Sequence, residues 1–292
     1  MNESLDIRLR VTDDLNLARE WELVLLAQGL SPSVRATAAG VVLSVPEAEA
    51  DRAREALLAY DNENALKLLE RSEPAGSWGV LAGSVVSGIF ILVMFCVTTV
   101  WLPTVPWFAR GGADADRILH GELWRSVTAL TLHADVAHAV SNAAAAAIFF
   151  GMVSSLMGLG LGCALVLVAG AGGNLANAFL QGSPHVSIGA STAVFGAVGL
   201  VSGLTMAERR REPSRRRRAW LPIAAALALL GMLGSGGARV DIWAHLFGLL
   251  FGAVLGIAFG YVHPRPPGFR TQWVFGSAAI GVLIYSWTLA LR

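Results

Sequence analysis

Long uncharged stretches separated by short polar segments characterise the chain after residue 73. The block from Pro74 to Ala109 contains no Asp, Glu, Lys or Arg, and it is longer than the roughly 20 residues that a membrane-spanning helix needs. A second uncharged block, Val136 to Ala207, is long enough for three spans, with breaks at the polar or glycine-rich segments near 158–162 and 181–191. We therefore predict seven spans. Apart from the three in the second block, they cover 79–102, 219–238, 242–264 and 271–291.

Residues 1–73 have a different pattern, in which apolar positions alternate with charged ones. Helical spacing over LNLAREWELVLLAQGL and EAEADRAREALLAYDNEN predicts two helices, and VRATAAGVVLSV between them predicts a β-hairpin around Ala39 and Gly40. We predict a small α/β domain of unknown role. It holds 14 of the 21 acidic residues and 8 of the 22 basic ones, so it is acidic and the remainder of the chain is basic.

Composition supports a membrane protein, because 54% of the residues are hydrophobic and only 15% are charged. Cys96 and Cys163 both lie in apolar stretches, where neither a disulfide framework nor a zinc site is indicated. The polar start MNESLDIRLRVTDD lacks the basic residues and apolar run of a signal peptide. We therefore expect the N-terminus to be retained.

Orientation is predicted by the seven arginines between residues 209 and 218, which lie between two spans. The positive-inside rule places them in the cytoplasm, and their position between spans argues against nucleic acid as a partner. Counting spans from there, the 1–73 domain is cytoplasmic, whereas the 103–135 loop and Arg292 lie outside. The absent targeting peptide and the arginine-over-lysine, alanine-rich usage indicate a bacterial protein, for which we expect an inner membrane location.

Polar side chains within the spans are few, and such residues generally mark function because burying them in lipid is costly. Three groups begin even-numbered spans and therefore share one depth near the outer face. His138 and Asn142 are four residues apart, so they project from one helix face. The set at membrane depth is His138, Asn142, Asn174, Asn177, Ser191 and His245.

Ser191 and His245 have the chemistry of a nucleophile and its base. A serine hydroxyl is a weak nucleophile until a neighbouring base takes its proton, and His245 lies at the matching depth. Ser191 also opens a helix, where free backbone N–H groups favour a developing negative charge. Small residues on both helices allow their backbones to approach closely. These glycines are Gly196, Gly199 and Gly203 on one span and Gly248, Gly252, Gly256 and Gly260 on the other.

Each of these signals also has an ordinary structural explanation. A serine at a helix start is usually an N-cap, and glycines four residues apart often serve helix packing alone. A histidine in a membrane helix is less often inert. The conjunction of all three at one depth is what favours a catalytic site.

The motifs GASTAVFG (189–196), HAVSN (138–142) and AHLFGLLFG (244–252) resemble the signature motifs of rhomboid intramembrane serine proteases. The segments WR (124–125), TALTLHADVAH (128–138) and GN (173–174) match as well. The similarity covers about 79–262 in the family's order. It implies an all-α polytopic fold, a rhomboid-like six-helix bundle with a seventh transmembrane helix over 271–291, preceded by the small soluble α/β domain.

The resemblance implies a Ser/His dyad that needs neither cofactor nor metal. Ser191 would attack the scissile carbonyl, with His245 as general base and then general acid. His138, Asn142 and the Ser191 backbone amide match the family's oxyanion hole. The supporting positions are Gly189 before the serine, Trp124 and Arg125 in the first outer loop, and His133.

The expected partners are the lipid bilayer and transmembrane protein substrates, cleaved near the outer end of a single span. Thr192 and Phe247 depart from the commonest pattern, since many members have glycine at these positions; the bulk either narrows the substrate cleft or repacks it. The oligomeric state and the substrate sequence preference are not given by these motifs.

Other functions fit the sequence less well. A zinc protease would need HExxH or a comparable ligand set, and an aspartyl protease would need two aspartates at depth, whereas Asp114, Asp116, Asp135 and Asp241 lie in loops or at helix edges. A transporter would place charged residues near the midplane. The remaining alternative is a catalytically silent rhomboid-like protein that binds client transmembrane helices, although such relatives typically lack the serine or the histidine.

Overall fold

The computed structural model describes residues 6–37, 40–72, 77–211, 216–233, 241–262 and 266–292. The chain divides into two compact units, Met1–Ala75 and Gly76–Arg292. The second unit is an all-α polytopic bundle, as the sequence predicted, and the strands of the first form a small sheet.

The first unit is a three-stranded antiparallel sheet in the order β1-β3-β2 with two helices. Its predicted hairpin is present, with Thr37 paired to Gly40 next to the undescribed tip. Strand β1 was not predicted, because its alternating Ile7, Leu9 and Val11 lie in a segment that is otherwise polar. The elements are β1 (Asp6–Thr12), α1 (Leu15–Ala27), β2 (Ser33–Thr37), β3 (Gly40–Pro46) and α2 (Ala50–Ser72).

Six helices of the second unit are long and apolar enough to cross a membrane, counting only the described residues. The first continues beyond α3 as a π-helical turn over Val97–Trp101. The predicted span at 219–238 is described only as α10 (Leu221–Leu233), and 234–240 lie outside the described residues. The helices other than α10 are α3 (Ser77–Cys96), α7 (Val136–Met157), α8 (Leu159–Gln181), α9 (Ser191–Arg211), α11 (Ile242–Val262) and α12 (Phe269–Ala290).

The segment between α3 and α7 is folded, and its part over 125–133 is buried. Its strand β4 pairs antiparallel with β5, which lies just before α9. This pairing joins the segment to the chain that leads into Ser191. Its elements and the partner strand are α4 (Trp107–Gly111), β4 (Ala113–Asp114), α5 (Ala115–Leu119), α6 (Arg125–Thr128) and β5 (Val186–Ser187).

Helices α9 and α11 are in backbone contact, as their glycine rows predicted. A Cβ atom at Gly252 would lie 2.0 Å from the Gly196 carbonyl oxygen, and one at Gly248 would lie 2.2 Å from that of Thr192. Such separations are far inside van der Waals contact, so only glycine fits. Because Ser191 begins α9 and His245 lies in the first turn of α11, this contact brings the two residues into the same neighbourhood.

Helix α12 is attached at both of its ends. Near its start, the Gln272 side chain accepts the Leu161 N–H (2.9 Å) and donates to the Met157 carbonyl (2.8 Å), which bridges the turn between α7 and α8. Near its end, Trp287 stacks edge-on against Trp107 at 5.1 Å and donates its indole N–H to Thr131. The seventh predicted span therefore packs against both the α7–α8 turn and the segment before α7.

Candidate active site

Ser191 and His245 lie within hydrogen-bonding distance, with 2.7 Å between Ser191 Oγ and His245 Nε2. His245 is only 7% exposed. The Phe195 ring stacks on its imidazole at 4.7 Å between centroids and 29° between planes. A neutral imidazole at this distance can accept the serine proton, which is the requirement for nucleophile activation.

Phe195 is a residue that the sequence reasoning missed. It follows Ser191 by four positions, so it lies on the same face of α9 and one turn further along the helix. Its ring limits the rotation of the His245 imidazole by covering one face. The i, i+4 spacing from Ser191 was the signal that could have found it.

Gly189 gives the chain its turn into α9. Its φ of 120° lies in the region that side chains rarely adopt. A Cβ atom there would also lie 2.7 Å from His138 Nε2. Gly189 donates its N–H to the Ala129 carbonyl (2.9 Å), which holds the turn against the segment before α7.

His138 presents a ring nitrogen to this turn, and Asn142 presents its side-chain N–H group to the buried interior near the turn. The Ala134 N–H contacts His138 Nδ1 at 3.5 Å, which favours the tautomer with its proton on Nε2, the atom beside Gly189. Asn142 Nδ2 is buried and has no hydrogen-bond partner among the described residues. An unsatisfied buried donor is costly, and it is available to a ligand oxygen.

His133 supports the turn from the other side. It is fully buried, its Nε2 accepts the Ala190 N–H at 3.3 Å, and its ring meets His138 edge-on at 5.1 Å. Burial and the neighbouring His138 lower the pKa of His133 to about 4, against an opposing contribution from the Thr131 backbone. The ring is therefore neutral at physiological pH, as an acceptor must be.

Replacing His133 by glutamine is expected to flatten the dependence of stability on pH. Because its folded-state pKa of about 4 is below the ordinary histidine pKa of 6.5, the unfolded chain binds more protons between these values, and stability falls as pH falls through that window. The contribution of His133 to this loss is on the order of 3 kcal/mol. The measurement is thermal unfolding of the parent and of His133→Gln in detergent, at pH 7 and at pH 4.5. An equal loss of stability in the parent and in His133→Gln would contradict this account.

Trp124 and Arg125 are located in the segment before α7. Arg125 is buried and donates to the carbonyls of Ala109 and Gly112 (3.0 Å each) and to the Glu122 carboxylate (2.5 Å). These bonds hold the segment together. The bonds of Arg125 all lie within this segment, and the structural role that the motif resemblance implies for Trp124 and Arg125 stays a prediction.

The two asparagines of α8 do not join Ser191 and His245. Asn174 donates to the Ser126 carbonyl at 2.9 Å, whereas Asn177 donates to the Asp241 carboxylate at 2.6 Å. Thr192 is buried where α8, α9 and α11 meet, against Gly173 and Gly248. Its side chain therefore fills a helix-packing position.

Comparison with known proteins gives one consistent family. The family model of the rhomboid domain matches residues 120–262 of this chain. Rhomboid-like protease 1 of Toxoplasma gondii is 28% identical over 216 residues, covering 70% of this chain and 71% of that protein. Rhomboid protease GluP of Bacillus subtilis is 31% identical over 181 residues, covering 61% of this chain but 34% of that protein. RHOMBOID-like protein 5 of Arabidopsis thaliana is 28% identical, with 57% of each chain covered.

Proposed function

Because the chain belongs to the rhomboid family and is a multi-pass membrane protein, we propose that it is an intramembrane serine endopeptidase that uses Ser191 and His245 as a catalytic dyad. The family includes proteins named as proteases. The observation that carries the proposal is the 2.7 Å separation of Ser191 Oγ and His245 Nε2. The substrates are single-span membrane proteins, cleaved in or near the transmembrane segment.

The chemical steps use few groups. His245 Nε2 takes the proton of Ser191 as Oγ attacks the scissile carbonyl, and it returns that proton to the leaving amine. Water, activated by the same imidazole, then hydrolyses the acyl-enzyme. Phe195 keeps the imidazole plane aligned with Oγ throughout by covering one face of the ring.

The oxyanion is stabilised by donors already in place. The Ser191 backbone N–H opens α9, where it has no partner within the helix, and His138 Nε2–H and Asn142 Nδ2–H lie on one face of α7. A donor that is buried and unpaired in the free enzyme bonds the oxyanion without first losing another partner. Removing one such donor costs about 10²- to 10³-fold in kcat in other serine hydrolases.

The proposal includes a membrane arrangement. Residues 79–262 form the catalytic core, 271–291 the additional helix, and 1–73 a cytoplasmic domain of a bacterial inner membrane protein. Cleavage then occurs near the outer face, where the Ser191 end of the bundle lies. A helical peptide bond is shielded from attack, so substrates whose helices unwind readily, with small residues at the cleavage site, are favoured.

The test is cleavage of a labelled single-span substrate by the purified protein in liposomes, beside Ser191→Ala with its fold checked by thermal unfolding. Cleavage by the parent and none by the folded variant supports the proposal. A folded parent that binds several such substrates without cutting any of them overturns it in favour of the silent, client-binding alternative.

A further inference from the structure

A cluster of polar side chains lies one helical turn before His245. The Asp241 carboxylate accepts the Asn177 side-chain N–H at 2.6 Å, and its Oδ2 lies 2.7 Å from His185 Nε2. Asp241 is only 15% exposed at its side chain, and Asn177 is buried. A carboxylate so enclosed needs several donors to offset its lost hydration.

Asp241 is also joined directly to the backbone of the His245 helix. Its Oδ1 accepts the Ala244 N–H at 3.0 Å, which caps the start of α11, and its carbonyl accepts the His245 N–H at 3.2 Å. His245, which carries the proposed base, is therefore anchored through Asp241. An Asp at this position also complements the positive end of the helix dipole.

The partners of Asp241 come from two segments that precede Ser191 in the chain. Asn177 is in α8, near its end. His185 precedes β5, and its carbonyl accepts the Ala115 N–H at 2.9 Å, so it is fixed to the segment before α7. Ser191 follows His185 by only six positions. The cluster thus links the turn that presents the nucleophile to the helix that presents the base.

The charge state of Asp241 suits this role. Burial raises the pKa of its carboxyl, but hydrogen bonds from Ala244, His185 and Ser187 together with the attraction of His185 outweigh burial, and the pKa lies below its usual value. The group is a carboxylate at neutral pH. His185 carries its proton on Nε2 in this arrangement, because Asp241 can only accept.

We infer that Asp241, with Asn177 and His185, positions His245 relative to Ser191 by tying the His245 helix to the turn before Ser191. Asp241 is a positioning residue, because its bonds go to the backbone of α11 and to the two segments that precede Ser191. The inference rests on the proposed function. It goes beyond the dyad by assigning the Ser–His distance to a carboxylate that sequence reasoning had placed merely at a helix edge.

The experiment compares kcat and KM for the single-span substrate in liposomes among the full-length parent, Asp241→Ala and Asp241→Asn. The alanine variant is expected to lower kcat about 10²-fold, the scale of a displacement of about 1 Å at a catalytic group, with KM within about twofold because no substrate contact is lost. The asparagine variant keeps an oxygen for the Ala244 N–H and loses the charge-assisted bond, so kcat should fall only about tenfold.

The matched control is Asp116→Ala. Asp116 also has a histidine neighbour, His120, at 3.7 Å, but both side chains are exposed, and kcat should stay at the parent value. A kcat that is higher in Asp241→Asn than in Asp241→Ala, with KM unchanged, supports the inference. If Asp241→Ala does not fold, Asp241→Asn decides alone, and a parental kcat in it overturns the inference. A parent that never cleaves removes the proposed function and this inference with it, whereas an active parent with unaffected variants removes only this inference.

Discussion

His245→Ala is expected to slow substrate cleavage by about 10⁴-fold or more, with KM nearly unchanged. The Ser191 hydroxyl, deprived of its partner at 2.7 Å, keeps its proton at neutral pH and remains a weak nucleophile. The leaving amine also loses its proton donor. Both chemical steps therefore slow, while the residues that bind substrate stay in place.

The measurement is single-turnover cleavage in liposomes, together with the rate at which a fluorophosphonate probe labels Ser191. Labelling should slow as well, because it needs the same activated hydroxyl. His120→Ala is the control, since this histidine is exposed in the segment before α7. Parental labelling by a folded His245→Ala protein would show that another group activates Ser191 and would refute the assignment of the base.

Gly252→Val is expected to destabilise the helical unit by about 3 kcal/mol or more and to abolish cleavage. The added Cβ would meet the Gly196 carbonyl oxygen at 2.0 Å, and the atoms it strikes belong to the backbone of α9. No side-chain rotation relieves this contact, so the two helices must separate. Separation breaks their packing and moves Ser191 away from His245.

The control is Gly281→Val, another glycine-to-valine change within a long apolar helix. A Cβ atom at Gly281 meets nothing within 4 Å, so its unfolding temperature and activity should stay close to the parent's. Thermal unfolding in detergent and cleavage in liposomes measure both variants. If Gly252→Val unfolds at the same temperature as Gly281→Val, then α9 and α11 are not in backbone contact in the membrane.

The helices were predictable because a span across lipid cannot include unpaired charges, so uncharged stretches mark its extent. The predicted first span, 79–102, compares with Trp78–Trp101, and the predicted last span, 271–291, with Phe269–Ala290. The Ser191 and His245 pairing followed from the same rule, since their positions in the spans give their depth. Strand β1 was missed because its alternation is short and lies among polar residues.

Some side-chain contacts between distant parts of the chain were the features that the sequence did not reveal. Asp241 appeared to be an ordinary residue of a loop or helix edge, because its neighbouring sequence gives no sign of Asn177, which lies 64 positions earlier. The i, i+4 spacing of Phe195 from Ser191 indicates a shared helix face, but it does not indicate which ring of another helix Phe195 stacks on. Such interactions depend on which helices become neighbours, and composition does not encode that choice.

The two-ended attachment of α12 has a consequence for the order of assembly. Ribosomes complete this helix after every other described helix, yet Gln272 is the side chain that satisfies the Leu161 amide in the first turn of α8, one of the amides that a helix cannot satisfy itself. Trp287 likewise reaches Thr131, two residues before His133. During synthesis, therefore, the turn between α7 and α8 and the segment before α7 gain these contacts only after α12 has been translated and inserted, later than every other described helix.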